Sequence, residues 1–280
     1  MAHPAAEPAK PADRAASSLQ MRVLSAAVML PVFLVLLYYG GLGFALLLAL
    51  AAVLMAGEWD RLTGGRGFGL AGLGAALSLL IVLLLGYLGQ PNWALLALPP
   101  LALAMALVSR VGGRQMTWPV VGLFWLGLPC LALLWLRNGE QGMLAVSWLF
   151  VSVWSCDTGA YFAGRRIGGP RLAPRISPKK TWSGLLGGML AAAAASALLS
   201  ALVDIGSIPM FALMGALLAL ISQCGDLAES GVKRRFDVKD SGALIPGHGG
   251  ILDRVDGVLF AAPALALFIL FPNLGFLPWR

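Results

Sequence analysis

A chain of 280 residues that is 59% hydrophobic and only 12% charged, with a mean hydropathy of +0.83, lies far outside the range of water-soluble domains. Its formal charge of +7 fits anion binding combined with the charge asymmetry of a membrane protein. Nucleic acid is not expected as a partner, because basic and aromatic residues do not interleave in the stacking manner.

The N-terminal residues 1–20, rich in Ala and Pro and without periodicity, read as a disordered tail. A signal peptide is not expected, since the apolar run that follows is long and leads straight into another. Runs close to the ~20 residues needed to cross a bilayer cover about 22–39, 41–57, 69–89, 92–109, 118–136, 142–164, 183–203, 207–225 and 252–275. The fold class is therefore all-α, a polytopic integral membrane protein of about nine transmembrane helices, with a turn expected at Gly40-Gly41. Cytoplasmic loops collect Lys and Arg. A cytoplasmic N-terminus and an outside C-terminus place every basic residue inside except Arg137 and Arg280. One membrane domain, 21–280, is expected, with polar cytoplasmic loops near 165–182 and 227–251. Cys130, Cys156 and Cys224 stand singly in helices and read as small buried hydrophobes.

Ionisable side chains are costly near a bilayer, so each is a functional candidate. Glu58 and Asp60, beside Arg61 at a helix end, read as interfacial salt-bridge partners, and Asp204 as a helix terminus. Asp157, in SCDTGAYFAG, and Asp226, in SQCGDLAES, lie toward the cytoplasmic ends of their helices. Asp157 shares a face with Tyr161, and Asp226 with Ser230 and Lys233. The macrodipole opposes a carboxylate at the position of Asp226. Its charge requires a cation, either Lys233 or Arg234 as an ion pair, or a bound metal.

Between these two helices, SPKKTWSG offers Ser177, Lys179, Lys180, Thr181 and a helix start, a combination suited to phosphate. The same lysines also satisfy the positive-inside rule, and Trp182 suits an interface anchor. The densest cluster, SGVKRRFDVKDSGALIPGHGGILDRVD over 230–256, sets Lys233, Arg234, Arg235, Lys239 and Arg254 beside Asp237, Asp240, Asp253, Asp256 and His248. Such mixed charge suits a polyanion held by basic side chains, with carboxylates on a metal. Asp253 and Asp256 point the same way from a helix start, where the macrodipole alone also favours them. His248 admits either a bond to phosphate or one to its own turn, and its flanking glycines allow close approach of a ligand. These glycines follow no strand, so no Walker or dinucleotide fingerprint is present.

The order Ser230, Val232-Lys233-Arg234, Lys239-Asp240, Gly242, Ile245-Pro246, His248-Gly249-Gly250-Ile251 and Asp253-Arg254-Val255-Asp256 resembles the signature of the bacterial phosphatidate cytidylyltransferases, or CDP-diacylglycerol synthases. The stretches DTGAY from Asp157 and SPKKTW from Ser177 are similar to further motifs of that family. The likeness runs over most of the chain from about residue 20. Ser183 departs from it, standing where members often carry Glu or Gln.

The resemblance implies that phosphatidic acid and CTP react, with magnesium, to give CDP-diacylglycerol and pyrophosphate. It further implies a bacterial inner membrane enzyme and a homodimer, and the bias of Lys and Arg places the active-site loops at the cytoplasmic face. Elementary chemistry fits this reaction. A phosphate monoester has a second pKa of about 6, so at neutral pH it is mainly a dianion and needs no strong general base. The obstacle is repulsion between that dianion and the nucleotide, which fixed cations offset.

On this footing Asp226 and Asp253 are expected to hold Mg²⁺, with Asp256 completing the metal site or holding a second cation. Lys233 is expected to act with them in catalysis. Lys233, Arg234 and Lys239 take one phosphate group, and Ser177, Lys179, Lys180 and Thr181 the other. Asp157 orients CTP or a lysine, and Ser230, His248 and Arg254 complete the substrate-binding set. Two rivals stand beside this reading, a CTP-dependent lipid kinase and a transporter whose interrupted helices bind an ion or organic anion.

Overall fold

The computed structural model describes residues 11–242, 244 and 249–271, with side chains at 21 and from 23 onward. Among the described residues the chain forms α1 (Pro11–Tyr39), α2 (Gly41–Leu62), α3 (Leu70–Tyr87), α4 (Pro91–Val111), α5 (Thr117–Asn138) and α6 (Gly142–Arg166). A hairpin of β1 (Arg171–Ala173) and β2 (Ser177–Thr181) follows, then α7 (Trp182–Val203), α8 (Ile208–Arg235) and α9 (Leu252–Leu270). The helices α2 to α8 are long and apolar enough to cross a membrane, so this is an all-α membrane protein. By the same measure α1 offers the shorter apolar stretch Val23–Tyr39, and α9 opens with Asp253, Arg254 and Asp256.

Three expectations change. The tail expected to be disordered over 1–20 is helical from Pro11, because an Ala-rich segment joined to an established helix extends it one residue at a time without a new nucleus. The loop expected at 227–251 starts later, since α8 continues to Arg235. An i,i+4 pair of Glu229 with Lys233 supports those extra turns. The loop near 165–182 contains the hairpin, an exception to the all-α class. There Gly168, Gly169, Pro170, Pro174 and Pro178 forbid a continuous helix. The glycine turn is present, with Gly40 and Gly41 both in the left-handed region at φ 63° and 54°.

Packing divides the bundle. α6, α7 and α8 pack on one another, α2 to α5 form a second group, and α9 joins the two through α8 and α5. α1 packs chiefly on α2 and reaches α6 through Phe33, whose ring lies 4.5 Å from that of Phe150. In the middle of the bundle the buried Trp148 indole donates to Ser196 Oγ at 2.9 Å, and Ser152 lies 3.2 Å from the same hydroxyl. This polar link ties α6 to α7 where lipid offers no competing partner.

Small residues bring the site helices together. A side chain at Gly187 of α7 would begin 2.2 Å from Ala163 Cβ of α6. Gly187→Val is therefore expected to force α6 and α7 apart, at a cost of about 1–3 kcal/mol, read as a lower midpoint of thermal unfolding in detergent. On α8, the Cβ that Gly225 lacks would lie 2.7 Å from the Asp256 carbonyl. On α9, that of Gly257 would lie 2.3 Å from Ser222 Oγ. These two glycines let α8 and α9 touch beside Asp226 and Asp256.

Candidate active site

The polar residues gather where α2, α6 and α8 end and α9 begins. A cavity of about 450 Å³ opens between the C-terminal part of α6, the hairpin and α8. From α6, Asp157, Tyr161, Gly164 and Arg165 line it, a set spaced along one helical face. The hairpin contributes Arg171, Lys179 and Lys180, and α8 contributes Gln223 and Asp226.

Lys180 is the hub of this wall. Its ammonium lies 2.5 Å from Asp226 Oδ2 and donates to Gln223 Oε1 at 2.9 Å. Gln223 Nε2 in turn donates to Asp157 Oδ1 at 3.2 Å. Ser230 Oγ donates to Asp226 Oδ1 at 3.3 Å, one turn further along α8. Asp226 thus has the cation that its position at a helix C-terminal end requires. The partner is Lys180 from the hairpin, in place of the Lys233 or Arg234 considered from the sequence.

A second cluster lies against the first. Lys233, buried with 8% exposure, donates to Glu229 Oε1 at 3.1 Å and to Asp253 Oδ1 at 2.8 Å. Glu229 is fully buried, and its Oε2 has no hydrogen-bond partner among the described residues. Asp253 also accepts the Ser241 N–H at 3.0 Å and the Gly250 N–H at 2.9 Å. Its carboxylate is thereby held by one cation and two backbone groups. Asp256, one turn on, accepts the Gly257 N–H at 2.7 Å and lies within coulombic reach of Asp226, Glu229 and Asp157.

Glu58 closes the arrangement from α2. Buried at 2% exposure, it accepts the N–H groups of Ile251 and Leu252, each at 2.9 Å. Its expected salt bridge at the interface is thus replaced by the start of α9. Asp60 pairs with Arg114 at 2.5 Å instead of its neighbour Arg61, because α2 and the α4–α5 connection are adjacent in space.

The remaining candidates are spread out. Thr181 Oγ accepts the Gly184 N–H at 3.1 Å and so caps α7, while its residue also lines the cavity. Ser177 opens β2 and is absent from the cavity wall. Exposed Arg234 donates to the carbonyls of Ile176 and Val238, tying the hairpin turn to the end of α8. Lys239 is exposed, as is Arg254, which lies within coulombic reach of Asp157. His248 lies outside the described residues. What presses on the neighbouring Gly250 is protein: a Cβ there would lie 2.2 Å from Ser241 Oγ and 2.7 Å from Glu58 Oε2.

Sequence reasoning missed Gln223, Glu229, Arg165 and Arg171. Gln223 and Glu229 stand three positions before and after Asp226 on its own helix face, a usable signal. Glu58 gave none, because its partners are 193 and 194 positions away.

Asp157, Asp226 and Asp256 come from three helices, offer only carboxylate oxygen, and lie within coulombic reach of one another. Among the described residues no three His, Cys, Asp or Glu side chains enclose an ion by themselves. Carboxylate oxygen is the donor type that a hard cation takes, alongside water and phosphate oxygens.

Comparison with known proteins agrees with this chemistry. The model of the cytidylyltransferase family matches residues 20–271. The chain is 43% identical over 257 residues to the phosphatidate cytidylyltransferase of Brucella suis biovar 1 (strain 1330), covering 90% of this chain and 93% of that protein. It is 33% identical over 262 residues to the phosphatidate cytidylyltransferase of Staphylococcus epidermidis (strain ATCC 35984 / DSM 28319 / BCRC 17069 / CCUG 31568 / BM 3577 / RP62A), covering 90% and 99%.

Proposed function

Because the chain belongs to the cytidylyltransferase family, we infer that it transfers the cytidylyl group of CTP to phosphatidic acid, giving CDP-diacylglycerol and pyrophosphate. The observation that carries the residue-level reading is the seating of Lys180 between Asp226 and Gln223 in a cavity that also bears Arg165, Arg171 and Lys179. Cations and carboxylates then share one wall, as an anion handled together with a metal requires.

In the reaction, an oxygen of the lipid phosphomonoester forms a bond to the α-phosphorus of CTP. The bond from that phosphorus to the bridging oxygen of the β-phosphate breaks, and the electron pair leaves with pyrophosphate. Lys180 has three donors and uses two on Asp226 and Gln223, so one remains for a phosphate oxygen in the cavity. Asp157, by accepting from Gln223 Nε2, turns Gln223 Oε1 toward Lys180. Arg165, Arg171 and Lys179 draw the two anions into one volume and offset their repulsion.

Asp226 and Asp256 would hold magnesium, with Asp157 within coulombic reach of both. When bound, it supplies charge neutralisation on the phosphates. Asp253, first expected as a direct ligand, is engaged by Lys233, Ser241 and Gly250. In this reading it organises the start of α9 through those bonds. Lys233 balances Asp253 and Glu229, while exposed Arg234 and Lys239 approach phosphate from the aqueous side.

The preferred orientation keeps the N-terminus and all of these polar groups in the cytoplasm, supported by the bias of Lys and Arg. About nine spans then include α1 and α9, the C-terminus lies outside, and the enzyme sits in the bacterial inner membrane as a single domain over 21–280. A homodimer rests on the family resemblance alone. The polar residues crowd at one end of the bundle, which favours an interfacial enzyme over a transporter with a site reachable from both faces.

The test is turnover in detergent with dioleoyl phosphatidic acid and CTP labelled at the α- or the γ-phosphorus. Label from the α position is expected in the lipid, with loss of transfer on chelation. Label from the γ position instead would establish a lipid kinase, and no label in lipid from either would favour the transporter.

A further inference from the structure

We propose that Glu58 is a positioning residue for the transfer reaction, holding the start of α9, and with it Asp253 and Asp256, against the end of α8. The inference rests on the reaction inferred above and extends it to a helix that carries none of the motifs that first suggested that reaction.

Glu58 is a buried carboxylate that makes no ion pair among the described residues. An uncompensated charge in such a place is costly. What offsets it is the N-terminus of α9. The Ile251 and Leu252 N–H groups belong to the set that a helix start leaves without internal partners, and each donates to a different oxygen of Glu58 at 2.9 Å. The positive end of the α9 dipole faces the same carboxylate. Ser241 Oγ adds a longer contact to Oε2 at 3.5 Å.

Two glycines are shaped around this carboxylate. A Cβ on Gly242 would lie 3.0 Å from Glu58 Oε1, and one on Gly250 would lie 2.7 Å from Oε2. The segments on either side of 243–248 therefore meet at one side chain from α2. Asp253 accepts from Ser241 and Gly250 of these same segments, so the position of its carboxylate follows the grip of Glu58. One turn on, Asp256 shares that helix start and lies within coulombic reach of Asp226. A shift of α9 at its first turn changes the separation of Asp226 and Asp256, which are the residues proposed for the metal.

Glu58→Gln separates positioning from folding. It preserves volume but replaces one acceptor with a donor that confronts a backbone N–H. Amide hydrogen exchange of 249–252 in detergent is expected to show protection in the wild type that is lost in the variant. With α-labelled CTP, the variant is expected to need about tenfold more Mg²⁺ for half-maximal turnover and to lose about tenfold or more in kcat, the scale of changes behind metal ligands. The KM for phosphatidic acid should stay within about twofold of the wild type. Glu58→Asp is expected to recover neither value, since it retracts the carboxylate by one methylene. Unchanged exchange would overturn the grip. Altered exchange with unaltered kcat and Mg²⁺ requirement would overturn the positioning role. An inactive wild type would instead overturn the reaction itself.

Discussion

Asp226→Asn should lower cytidylyl transfer by on the order of 10³-fold or more while leaving the folded protein intact. Asparagine matches the shape of aspartate and can still accept the Ser230 hydroxyl. It lacks the charge that pairs with Lys180 at 2.5 Å. The variant thereby loses a carboxylate for a hard cation and the anchor that aims Lys180 into the cavity. Turnover with α-labelled CTP measures the first loss. Thermal unfolding in detergent verifies that the fold survives. Retention of more than about a tenth of wild-type turnover would remove Asp226 from the metal assignment.

Lys233→Met carries the second large effect, and it falls on stability. The ammonium sits between Glu229, fully buried, and Asp253, with contacts of 3.1 and 2.8 Å. Removing it leaves two carboxylates, 0% and 8% exposed, without their cation. Breaking a buried pair from one side costs about 3–5 kcal/mol. A sharp fall in the unfolding midpoint is expected, together with loss of activity. Adding Glu229→Gln to Lys233→Met should return part of the stability, because the double variant no longer buries one of those charges. A double variant no more stable than the single one would mean that Lys233 acts through something other than this ion pair.

The membrane class and the site motifs were legible for different reasons. Asp157, Lys180, Asp226, Lys233 and Asp253 could be picked out because ionisable residues in apolar surroundings are rare enough to stand out one at a time. Their partners could not. Lys233 and Arg234 were the near neighbours considered for Asp226, yet Lys180 from the hairpin takes that role. Proximity along the chain favours i,i+4 pairs, and Lys233 does make one, with Glu229. That bond, and a second to Asp253, leave Lys233 engaged away from Asp226. Glu58 was assigned to a surface salt bridge because Arg61 is adjacent. The packing of α2 beside α9 gave it two backbone donors instead.

What the chain declares without any coordinates is each segment's choice of solvent and the chemical character of its exceptions. A run such as Leu70–Tyr87 enters a bilayer by virtue of its own side chains, and the charged residues of 230–256 resist it by virtue of theirs. Transfer between water and lipid is nearly a sum over residues, so it can be read from composition. Which carboxylate meets which cation depends on helix contacts such as Gly225 against Asp256 and Gly187 against Ala163. Electrostatic interactions in a low-dielectric interior change steeply over a few ångströms, and only the packed bundle fixes those distances.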